Sequence, residues 1–511
     1  MILTVRNRNA AMTAWGLRKF RRYGPPTGTH QAEFGHYRPP DRISSISTKR
    51  PFVAHSSRLP AGGLAKHMNT NAHAAVILLP ILGCVLLMAP ELASPAGQPH
   101  VPVADPGRVQ EHLVELAHFG ANPEGGVSRV AFSDADVAGR AYVKGLMEAA
   151  GLEVRIDAAG NLIGRREGID RKLPTIVVGS HTDSVPHGGN YDGDVGVMGG
   201  IEVAQQLRDR HVRLRHALEV VDFTDEEGGL VGSRAMAGDL SAATLDLVNS
   251  SGRSVRDGIR ALGGNPDALG HARRSSSDLA AYLELHIEQG GTLERTHTDI
   301  GVVEGIVGIH WWEATVTGVA NHAGTTPMDQ RHDALLAASE LVLAVNDAAR
   351  EFPGHQVATV GRIRAEPGAP NVIPGRVVLS VEVRDLDAAR IEAVFERIRA
   401  RAGEIAPVRG TSIEFRDLEA TAVPALTDPR IQRIIAGEAH GLGLTTMAMP
   451  SGAGHDAQDI ARIAPIGMIF VPSVGGISHS PREYTASLDI TNGVNVLMRA
   501  VLAIDAGKLD R

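Results

Sequence analysis

The sequence predicts an α/β protein of two domains, in which a smaller domain is inserted into a larger one. The chain of 511 residues is long enough for more than one domain of the usual size, about 150 residues. Aromatic residues make up only 4% and glycines number 57, which favours an interior of Ala, Val and Gly. From about residue 105, apolar strand patterns alternate with helical patterns, as is typical of α/β architecture.

Residues 1–67 differ in charge from the rest of the chain. They contain twelve Lys or Arg residues and two acidic residues, Glu33 and Asp41. We interpret them as a disordered basic tail or an extension upstream of a true start at Met68, the alternatives being a nucleic-acid arm and an organelle transit peptide. Because the remainder of the chain carries an excess of acidic residues, we expect no nucleic-acid binding.

Residues 68–104 are predicted to form a signal-peptide-like segment and a linker. An apolar run over residues 74–90 is followed by small residues, but it is short for a membrane span and is interrupted by Pro80 and Gly83. We expect a periplasmic location if residues 68–97 act as a signal peptide and a cytoplasmic location otherwise. Membrane contact is expected only through this segment if it stays uncleaved. Cys84, the single cysteine, lies here, so no disulfide or Cys-based zinc site is expected.

Residues 105–300 are predicted to be the first part of the larger domain. A capped helix over 131–151 precedes a hairpin around Gly160 and Asn161. The segment KLPTIVVGSHTDSV is a buried strand that leads through a polar loop to a helix over 195–210. ALEVVDFTDEEGG repeats the plan, with an apolar strand running into carboxylates. In such folds, ligand sites lie beyond the carboxyl ends of the strands.

Residues 301–417 show a second pattern. Strand, helix, strand, strand, helix and strand follow one another, which is the order of the ferredoxin-like split unit. The two strands in the middle are predicted over 356–367 and 376–386. Residues 418–511, with helices over 429–443 and 488–504 and a strand over 464–473, are predicted to complete the larger domain.

Histidines and acidic residues follow the predicted strands of the larger domain. Each one alone has an ordinary explanation as a solvated loop residue or a turn. Together they supply the imidazole and carboxylate ligands of a two-metal site, which activates water and polarises a scissile carbonyl. These ligands suit zinc, with manganese or cobalt as substitutes. The residues are His181, Asp183, Asp192, Glu226, Glu227, His286 and His479.

Eight motifs resemble the hydantoinase/carbamoylase branch of the M20 metallopeptidase-like amidohydrolases. That branch includes N-carbamoyl-L-amino-acid hydrolases, β-ureidopropionases and allantoate amidohydrolases. The resemblance covers about residues 105–511 and implies an exopeptidase-like α/β/α catalytic domain with an inserted lid and dimerisation domain. The motifs are GSHTDSV, YDGDVGV, DEEGG, ELHIEQG, ANHAGTTPMDQRHDAL, PNVIPG, SGAGHDAQD and GISHSPREY.

The resemblance implies a role for each residue at the strand ends. One ion is expected on His181, Asp192 and His286, and the other on Asp192, Glu227 and His479. Asp192 would bridge the two ions. Glu226 would be the general base that activates water and protonates the leaving nitrogen. The carboxylate of Asp183 would orient the imidazole of His181.

The resemblance also implies substrate-binding residues, several of them in the inserted domain. His322 and Asn371 would stabilise a developing oxyanion, and Arg384 would clamp a carboxylate. Gln289 and the backbone N–H groups of the SGAG segment, at Gly452 and Gly454, could also receive the substrate carboxylate. A homodimer through the inserted domain is implied, in which His322 acts either in its own subunit or across the interface.

This sequence departs from the family pattern after the two glutamates. Relatives in this branch usually carry a longer segment with an Arg-Phe pair there, whereas here Glu227 is followed almost directly by Gly232-Ser233-Arg234. The shortening removes part of a loop expected near the metals. It leaves substrate preference open, although every expected metal ligand is present.

The favoured function is metal-dependent hydrolysis of the carbamoyl C–N bond of an N-carbamoyl amino acid, releasing carbon dioxide and ammonia. Allantoate amidohydrolase is the alternative, and N-carbamoyl-β-alanine is a further candidate substrate. Aminoacylase or dipeptidase activity and a non-catalytic ureide-binding module are less favoured. We find no G-x-S-x-G elbow of a serine hydrolase and no Walker or dinucleotide motif.

Overall fold

The computed structural model describes residues 102–510. The predicted basic extension and nearly all of the signal-like segment, residues 1–101, lie outside the described residues. The described strands, in chain order, are β1 (Glu153–Ile156), β2 (Leu162–Arg166), β3 (Thr175–His181), β4 (Leu218–Phe223), β5 (Leu279–Ile287), β6 (Ile300–Ile306), β7 (Gly308–Thr317), β8 (Asn321–His322), β9 (Val357–Thr359), β10 (Ile363–Glu366), β11 (Val372–Ile373), β12 (Arg376–Asp385), β13 (Ser412–Ala422), β14 (Ala425–Leu426), β15 (Thr446–Ser451) and β16 (Ile466–Val471).

The helices of the same part of the chain include several that the sequence predicts closely, with Ser133 capping α2. In chain order they are α1 (Pro106–Leu116), α2 (Asp134–Ala149), α3 (Asp194–Asp209), α4 (Glu226–Gly229), α5 (Val231–Ala237), α6 (Val255–Ala261), α7 (Thr292–Thr296), α8 (Ala334–Glu351), α9 (Ala388–Arg409), α10 (Pro429–His440), α11 (Asp456–Ile460) and α12 (Ser487–Asp505). Short 3-10 turns lie at Ala242–Asp246, Pro266–His271, Met328–Gln330, Val474–Gly476 and Lys508–Asp510.

The larger sheet has the order β1-β2-β4-β3-β5-β16-β6-β14, with β15 added beside β6. Its centre, β4-β3-β5-β16, is parallel throughout. The carboxyl ends of these four strands therefore meet at one edge. Every predicted metal ligand lies at or after the end of one of them, so the parallel pairing alone gathers ligands that are far apart in sequence.

Helices cover both faces of the larger sheet. Apolar side chains of α1, α2, α3, α10 and α12 pack with the central strands into one core, and α5 and α11 pack on the opposite face. By length and composition α12 is apolar enough to cross a membrane. Most of its apolar window is buried against the sheet and neighbouring helices, which is the environment of a core helix.

The smaller sheet has the order β10-β12-β7-β13, and β9 also pairs with β12. With α8 and α9 packed on one face, this is the ferredoxin-like arrangement, so the predicted α/β class with an inserted split unit is confirmed. The strand predicted over 356–367 is instead two short strands, β9 and β10. They pair with different parts of β12, and Arg362 between them donates its backbone N–H to Ser380 Oγ.

The sequence left several strands of the larger sheet unrecognised, among them β6 and β15. β6, residues 300–306, lies within the range assigned to the inserted domain but pairs with β14, β15 and β16 of the larger sheet. β15 contains Pro450 and pairs only along one side. The strands of the smaller sheet run from Gly308 to Ala422, and we call this part, with α8 and α9, the lid.

A buried arginine joins three segments beneath the ligand-bearing edge. Arg129 is 1% exposed and forms a bidentate ion pair with Asp194, at 2.6 and 2.8 Å. Its Nε donates to the carbonyl of Thr182, the residue after His181. Its Nη1 donates to the carbonyls of Leu116 and Phe119 at the end of α1. Every terminal group of this guanidinium therefore has a partner, as a buried charge requires.

We expect Arg129→Ala to lower the free energy of unfolding by about 3–5 kcal/mol, because it leaves the carboxylate of Asp194 buried and unpaired. Arg253→Ala is the matched control, since Arg253 pairs with the exposed Asp134 at the surface and should cost no more than about 1 kcal/mol. Urea unfolding of the two variants and the unmodified protein measures both values. Equal losses in the two variants would contradict the structural role given to Arg129.

Candidate metal centre

The first cluster at the edge of the larger sheet consists of His181, Asp192 and His286. Asp192 Oδ1 lies 3.1 Å from His286 Nε2 and 3.7 Å from His181 Nε2. The Nδ1 atoms of the two rings lie 2.9 Å from the main-chain carbonyls of Asp183 and Ile287. A carbonyl only accepts hydrogen bonds, so Nδ1 carries the proton in each ring. Nε2 of each ring is thereby turned toward Asp192, and it offers a lone pair to a metal ion once the ring is neutral.

The second cluster consists of Asp192, Glu227 and His479. His479 Nε2 lies 3.3 Å from Asp192 Oδ2 and 3.4 Å from Glu227 Oε1. Asp192 Oδ2 also accepts hydrogen bonds from Gln289 Nε2, at 2.7 Å, and from Ser478 Oγ, at 2.9 Å. The side chain of His479 is 48% exposed, whereas both histidines of the first cluster are fully buried. The two clusters therefore share one carboxylate but differ in access to solvent.

Glu226 lies beside the first cluster without belonging to it. Its Oε2 is 3.6 Å from His181 Nε2, and its side chain is 9% exposed. Burial, followed by the charges of Asp456 and Glu227, raises the pKa of Glu226 well above its ordinary value. The two glutamates were predicted at a strand end but begin the single turn α4, three residues after β4. They nevertheless point to different histidines, Glu226 to His181 and Glu227 to His479.

Asp183 acts differently from the sequence expectation. The His181 ring bonds to its main-chain carbonyl, and the carboxylate Oδ1 stands 3.8 Å from Nδ1. The carboxylate instead accepts the backbone N–H groups of Glu226 and Glu227, each at 3.2 Å. The cause lies in the backbone, because Asp225 adopts a left-handed conformation that turns both N–H groups toward Asp183. Asp183 thus fixes the glutamates with its carboxylate and the histidine with its backbone.

Several residues at the centre have a left-handed backbone although none is glycine. Asp225, Leu230, Gln289 and His479 have φ values between 51° and 59°. Such a conformation is unfavourable for residues with a Cβ atom and clusters at functional sites. Leu230 joins α4 directly to α5, so the shortened segment after Glu227 becomes a tight turn.

The charges of the two clusters shift the pKa values of their members. Burial alone would raise the pKa of Asp192, but the charge and hydrogen bond of His286 and the bond to His479 hold it well below its ordinary value. Burial lowers the pKa of His286, yet the charge of Asp192 outweighs it and raises this pKa to about 9. The hydrogen bond to Asp192 raises the pKa of His479 to about 9. Burial, with the charge of Asp192, raises the pKa of Glu227 to about 8.

A third group of possible ligands, Glu284, His286 and His455, lies behind the first cluster. Most of its ligand atoms take part in hydrogen bonds that support the first cluster, but His455 Nδ1 is buried without a hydrogen-bond partner. His455 Nε2 bonds to Ser451 Oγ at 2.8 Å, and its ring packs against His286 edge-on. The oxygens of Glu284 accept hydrogen bonds from Ser180 Oγ, Tyr282 Oη and the backbone N–H of Ala457.

The predicted substrate residues of the larger domain lie close to the clusters. Gln289 donates its side-chain N–H to Asp192, and its Oε1 is buried without a hydrogen-bond partner. Gly452 and Gly454 are exposed in the segment between β15 and α11. Arg384 reaches this segment from the lid, and its Nη1 donates to the Gly452 carbonyl at 2.7 Å. The structure thus brings Arg384 to the segment that the sequence assigned to the same carboxylate.

His322 and Asn371 lie together in the lid but apart from the clusters. They belong to a small ribbon in which β8 pairs with β11, and the backbone N–H of Ala323 donates to the Asn371 carbonyl at 3.0 Å. Both residues are exposed. His322 Nδ1 accepts hydrogen bonds from the backbone N–H groups of Gly324 and Thr325. This ring nitrogen is therefore occupied within its own turn, which leaves Nε2 for any ligand.

The sequence did not reveal a brace formed by the buried Glu483 and the half-buried Ser478. Glu483 Oε1 accepts the backbone N–H groups of Tyr191 and Asp192, at 2.9 and 3.1 Å. Ser478 Oγ lies 2.7 Å from Glu483 Oε2 and 2.9 Å from Asp192 Oδ2. The brace ties the loop of Asp192 to the loop of His479. Both residues stand within the motif GISHSPREY, but the sequence alone does not show what they contact.

The donor set fits divalent cations. It consists of imidazole nitrogens and carboxylate oxygens, which are preferred by zinc and similar ions. The close approach of Gly193 supports a tightly built site, since a Cβ there would lie 2.4 Å from His181 Nε2. Together, the α/β fold with helices on both faces of its larger sheet and this donor set define a class of hydrolase that could hold divalent metal ions at the carboxyl edge of that sheet.

Comparison with known families agrees with this class. The model of peptidase family M20/M25/M40 matches residues 177–503, and the chain belongs to this family. Members of the family generally bind divalent metal ions. The predicted exopeptidase-like fold and the resemblance to the hydantoinase/carbamoylase branch are therefore confirmed.

Individual relatives cover nearly all of the described residues. The chain is 40% identical over 406 residues to an N-carbamoyl-L-amino acid amidohydrolase of Geobacillus stearothermophilus, covering 78% of this chain and 99% of the relative. It is 38% identical over 405 residues to a ureidoglycolate hydrolase of Arabidopsis thaliana (76% and 84% covered). It is 36% identical over 398 residues to an allantoate amidohydrolase of Bacillus subtilis (76% and 95% covered).

A solved structure extends this likeness to the fold. An amidase of the hydantoinase/carbamoylase family from Burkholderia multivorans superposes with a TM-score of 0.74 at 37% identity, covering 79% of this chain and 98% of that one. The prediction that the chain is an enzyme of the amidohydrolase type is confirmed by these relatives. The roles of individual site residues stay predictions.

We expect binding of Zn²⁺ to the metal-free protein to release protons and to tighten as the pH rises toward about 9. His286 and His479 have pKa values of about 9 without the ion and must lose their protons to become ligands. Calorimetric titration in two buffers of different ionisation enthalpy measures the protons released. His479→Ala should release fewer protons than the unmodified protein, and the exposed His118→Ala serves as the control. An affinity independent of pH would contradict the assignment.

Proposed function

We propose that this enzyme hydrolyses a non-peptide C–N bond in a linear ureido compound, in the manner of N-carbamoyl-L-amino-acid hydrolase. The observation that carries the proposal is the pair of clusters that share Asp192, with the buried Glu226 beside them. The names of the relatives that match this chain along nearly their full length support the same chemistry. One water molecule consumed per carbamoyl group gives the free amino acid, carbon dioxide and ammonia.

Two divalent ions per subunit are proposed at the clusters, with zinc favoured and manganese or cobalt as substitutes. His181, Asp192 and His286 would hold one ion, and Asp192, Glu227 and His479 the other. When bound, such ions lower the pKa of water and polarise the scissile carbonyl. The pKa shifts of the metal-free protein support this assignment, because the protons on His286 and His479 balance the charge of Asp192 where cations would otherwise do so.

Glu226 is proposed as the general base. Its carboxylate would take a proton from the attacking water as the oxygen bonds to the carbonyl carbon. The same carboxyl would return the proton to the nitrogen as the C–N bond breaks. The raised pKa of Glu226 fits a group that must hold the proton between these steps. The carboxylate of Asp183 would keep Glu226 in place by accepting a hydrogen bond from the backbone N–H of Glu226.

The carboxylate of the substrate is proposed to bind at the junction between Arg384 and the SGAG segment. Arg384 already spans this junction, and the backbone N–H groups at Gly452 and Gly454 supply further donors. Gln289 Oε1, a buried acceptor without a partner, would take an N–H of the ureido group. A charged donor at one end and a neutral acceptor near the clusters match the two ends of an N-carbamoyl amino acid.

His322 and Asn371 are proposed to stabilise the oxyanion after the lid closes, or from the second subunit of a dimer. Exposed apolar side chains on α8 support a homodimer through the lid. Leu336 is 44% exposed and Leu343 is 65% exposed. The two residues lie two turns apart on the same face of the helix. A row of exposed apolar side chains on an outer helix fits a surface that is covered in an assembly.

Allantoate is the second candidate substrate, since a relative named allantoate amidohydrolase matches 76% of the chain. Allantoate and N-carbamoyl amino acids share a carboxylate beside a ureido group, so the proposed contacts of Arg384 and Gln289 serve either substrate. The shortened segment after Glu227, where this chain departs from the family pattern, leaves the preference between the two substrates open.

A panel of substrates tests the proposed function. The protein reconstituted with Zn²⁺ or Mn²⁺ should release ammonia from at least one N-carbamoyl-L-amino acid faster than from allantoate, ureidoglycolate or N-carbamoyl-β-alanine. An N-acetyl amino acid and a dipeptide complete the panel and test aminoacylase and dipeptidase activity. Preference for allantoate would favour the second candidate. Binding of a ureide without hydrolysis of any compound would overturn the proposal in favour of a binding module.

We expect Glu226→Gln to lower kcat by about 10²- to 10⁴-fold, because the amide accepts no proton from water. Metal content should stay unchanged, since Glu226 belongs to neither cluster. Single-turnover kinetics and metal analysis by mass spectrometry measure both quantities. Glu438→Gln, which removes a carboxylate paired with Lys508 on the surface, is the control. Activity near that of the control would show that another group transfers the proton.

A further inference from the structure

The face of the lid sheet opposite its two helices carries a connected set of polar side chains. Trp312, Val381 and Val383 point into the lid core, so the alternate residues of β7 and β12 point the other way. Trp311 and Glu382 lie directly opposite each other in the antiparallel register of β7 and β12. The indole Nε1 donates to Glu382 Oε2. The two side chains therefore hold each other across the strands.

Glu382 holds Arg384 with its other oxygen. Arg384 lies two residues further along β12, on the same face, and its Nε donates to Glu382 Oε1 at 2.7 Å. Its Nη1 donates to the carbonyl of Gly452, which belongs to the larger domain. Within residues 102–510, Nη2 forms no hydrogen bond at all. The guanidinium is thus fixed at two points while its remaining donors stay available.

We propose that Glu382 is a positioning residue that orients the guanidinium of Arg384 toward the substrate carboxylate, with Trp311 keeping Glu382 in place. This inference rests on the proposed function, because it takes the ligand of Arg384 to be the carboxylate of a ureido acid. The chemistry that selects the ligand is a free carboxylate next to a neutral ureido group.

The way in which Glu382 divides its hydrogen bonds explains why it would help Arg384 to bind the substrate carboxylate and would not compete with that carboxylate for Arg384. One oxygen of Glu382 serves the indole and the other serves Nε, so the carboxylate does not take both terminal nitrogens of Arg384. A long arginine side chain loses rotamer entropy when it binds a ligand, and holding it in advance reduces this loss. The alternative is that Glu382 merely neutralises Arg384. In that case, removal of its charge would strengthen the binding of an anionic substrate.

Kinetics on a pair of substrates test the proposal. The two compounds are the best N-carbamoyl amino acid of the panel and its neutral carboxamide. For the free acid, Glu382→Gln should raise KM about tenfold, as expected for loss of one charge-assisted hydrogen bond, and should leave kcat within about twofold. For the carboxamide, both constants should change less than about twofold. Trp311→Phe should raise KM for the free acid in the same direction by a smaller factor.

Two further variants separate positioning from a general structural effect. In a background of Arg384→Ala, Glu382→Gln should add no further rise in KM, because its effect passes through Arg384. Glu313→Gln is the matched control, a carboxylate on the same face that pairs with Arg362 and Arg416. It should leave the ratio of KM values for the two substrates unchanged. Thermal unfolding of each variant confirms that the lid is folded.

Several outcomes would overturn the inference. These are a lower KM for the free acid in Glu382→Gln, equal losses on the acid and the carboxamide, or an undiminished effect in the Arg384→Ala background. If the unmodified protein hydrolyses no ureido compound, the proposed function fails by itself. Calorimetric binding of the free acid and the carboxamide then tests Glu382 directly. The same tenfold loss for the acid alone would support it, and its absence would refute it.

Discussion

A single buried carboxylate determines how the centre is built. Asp192 is 7% exposed, and it is contacted by histidines from both clusters, by Gln289 and by Ser478. A carboxylate withdrawn from water must be balanced by positive charge or by several donors. In the metal-free protein, protonated His286 and His479 provide this balance, and divalent cations can replace those protons. Stability and metal binding are therefore linked through one residue.

The rigid and adaptable parts of the molecule divide along the two sheets. Parallel strands with fully buried side chains carry the clusters, and the buried Arg129 and Glu483 fasten the loops between them. The polar residues of the lid discussed above lie on the exposed face of its sheet and on the short ribbon of β8 and β11. Arg384 joins the two parts through one hydrogen bond to a backbone carbonyl. A contact of this kind is easily exchanged for a ligand, as the proposed closure of the lid over the substrate requires.

The sequence predicted the features that follow from residue patterns, and it missed the contacts that depend on the conformation of loops. Alternation of strands and helices revealed the α/β fold and the split unit, and residue types at strand ends revealed the members of both clusters. β6 and β15 escaped because short apolar runs without distinct turn signals are ambiguous. The hydrogen bonds of Asp183 and the contacts of Glu483 could not be read from the sequence. They depend on the left-handed conformation of Asp225 and on loops that meet only in the folded chain.

The left-handed residues at the centre also bear on how this enzyme can be engineered. An unfavourable backbone conformation at a non-glycine residue costs roughly 1 kcal/mol. Gln289 and His479 keep it together with side chains that serve the site, and Asp225 keeps it where two backbone N–H groups turn toward Asp183. Leu230 has the same conformation, but its side chain contributes no polar group to either cluster. Part of the free energy of unfolding that these backbone conformations cost can therefore be regained by substitution. The turn between the glutamates and α5 is the place where a more robust variant can be sought without altering a single ligand.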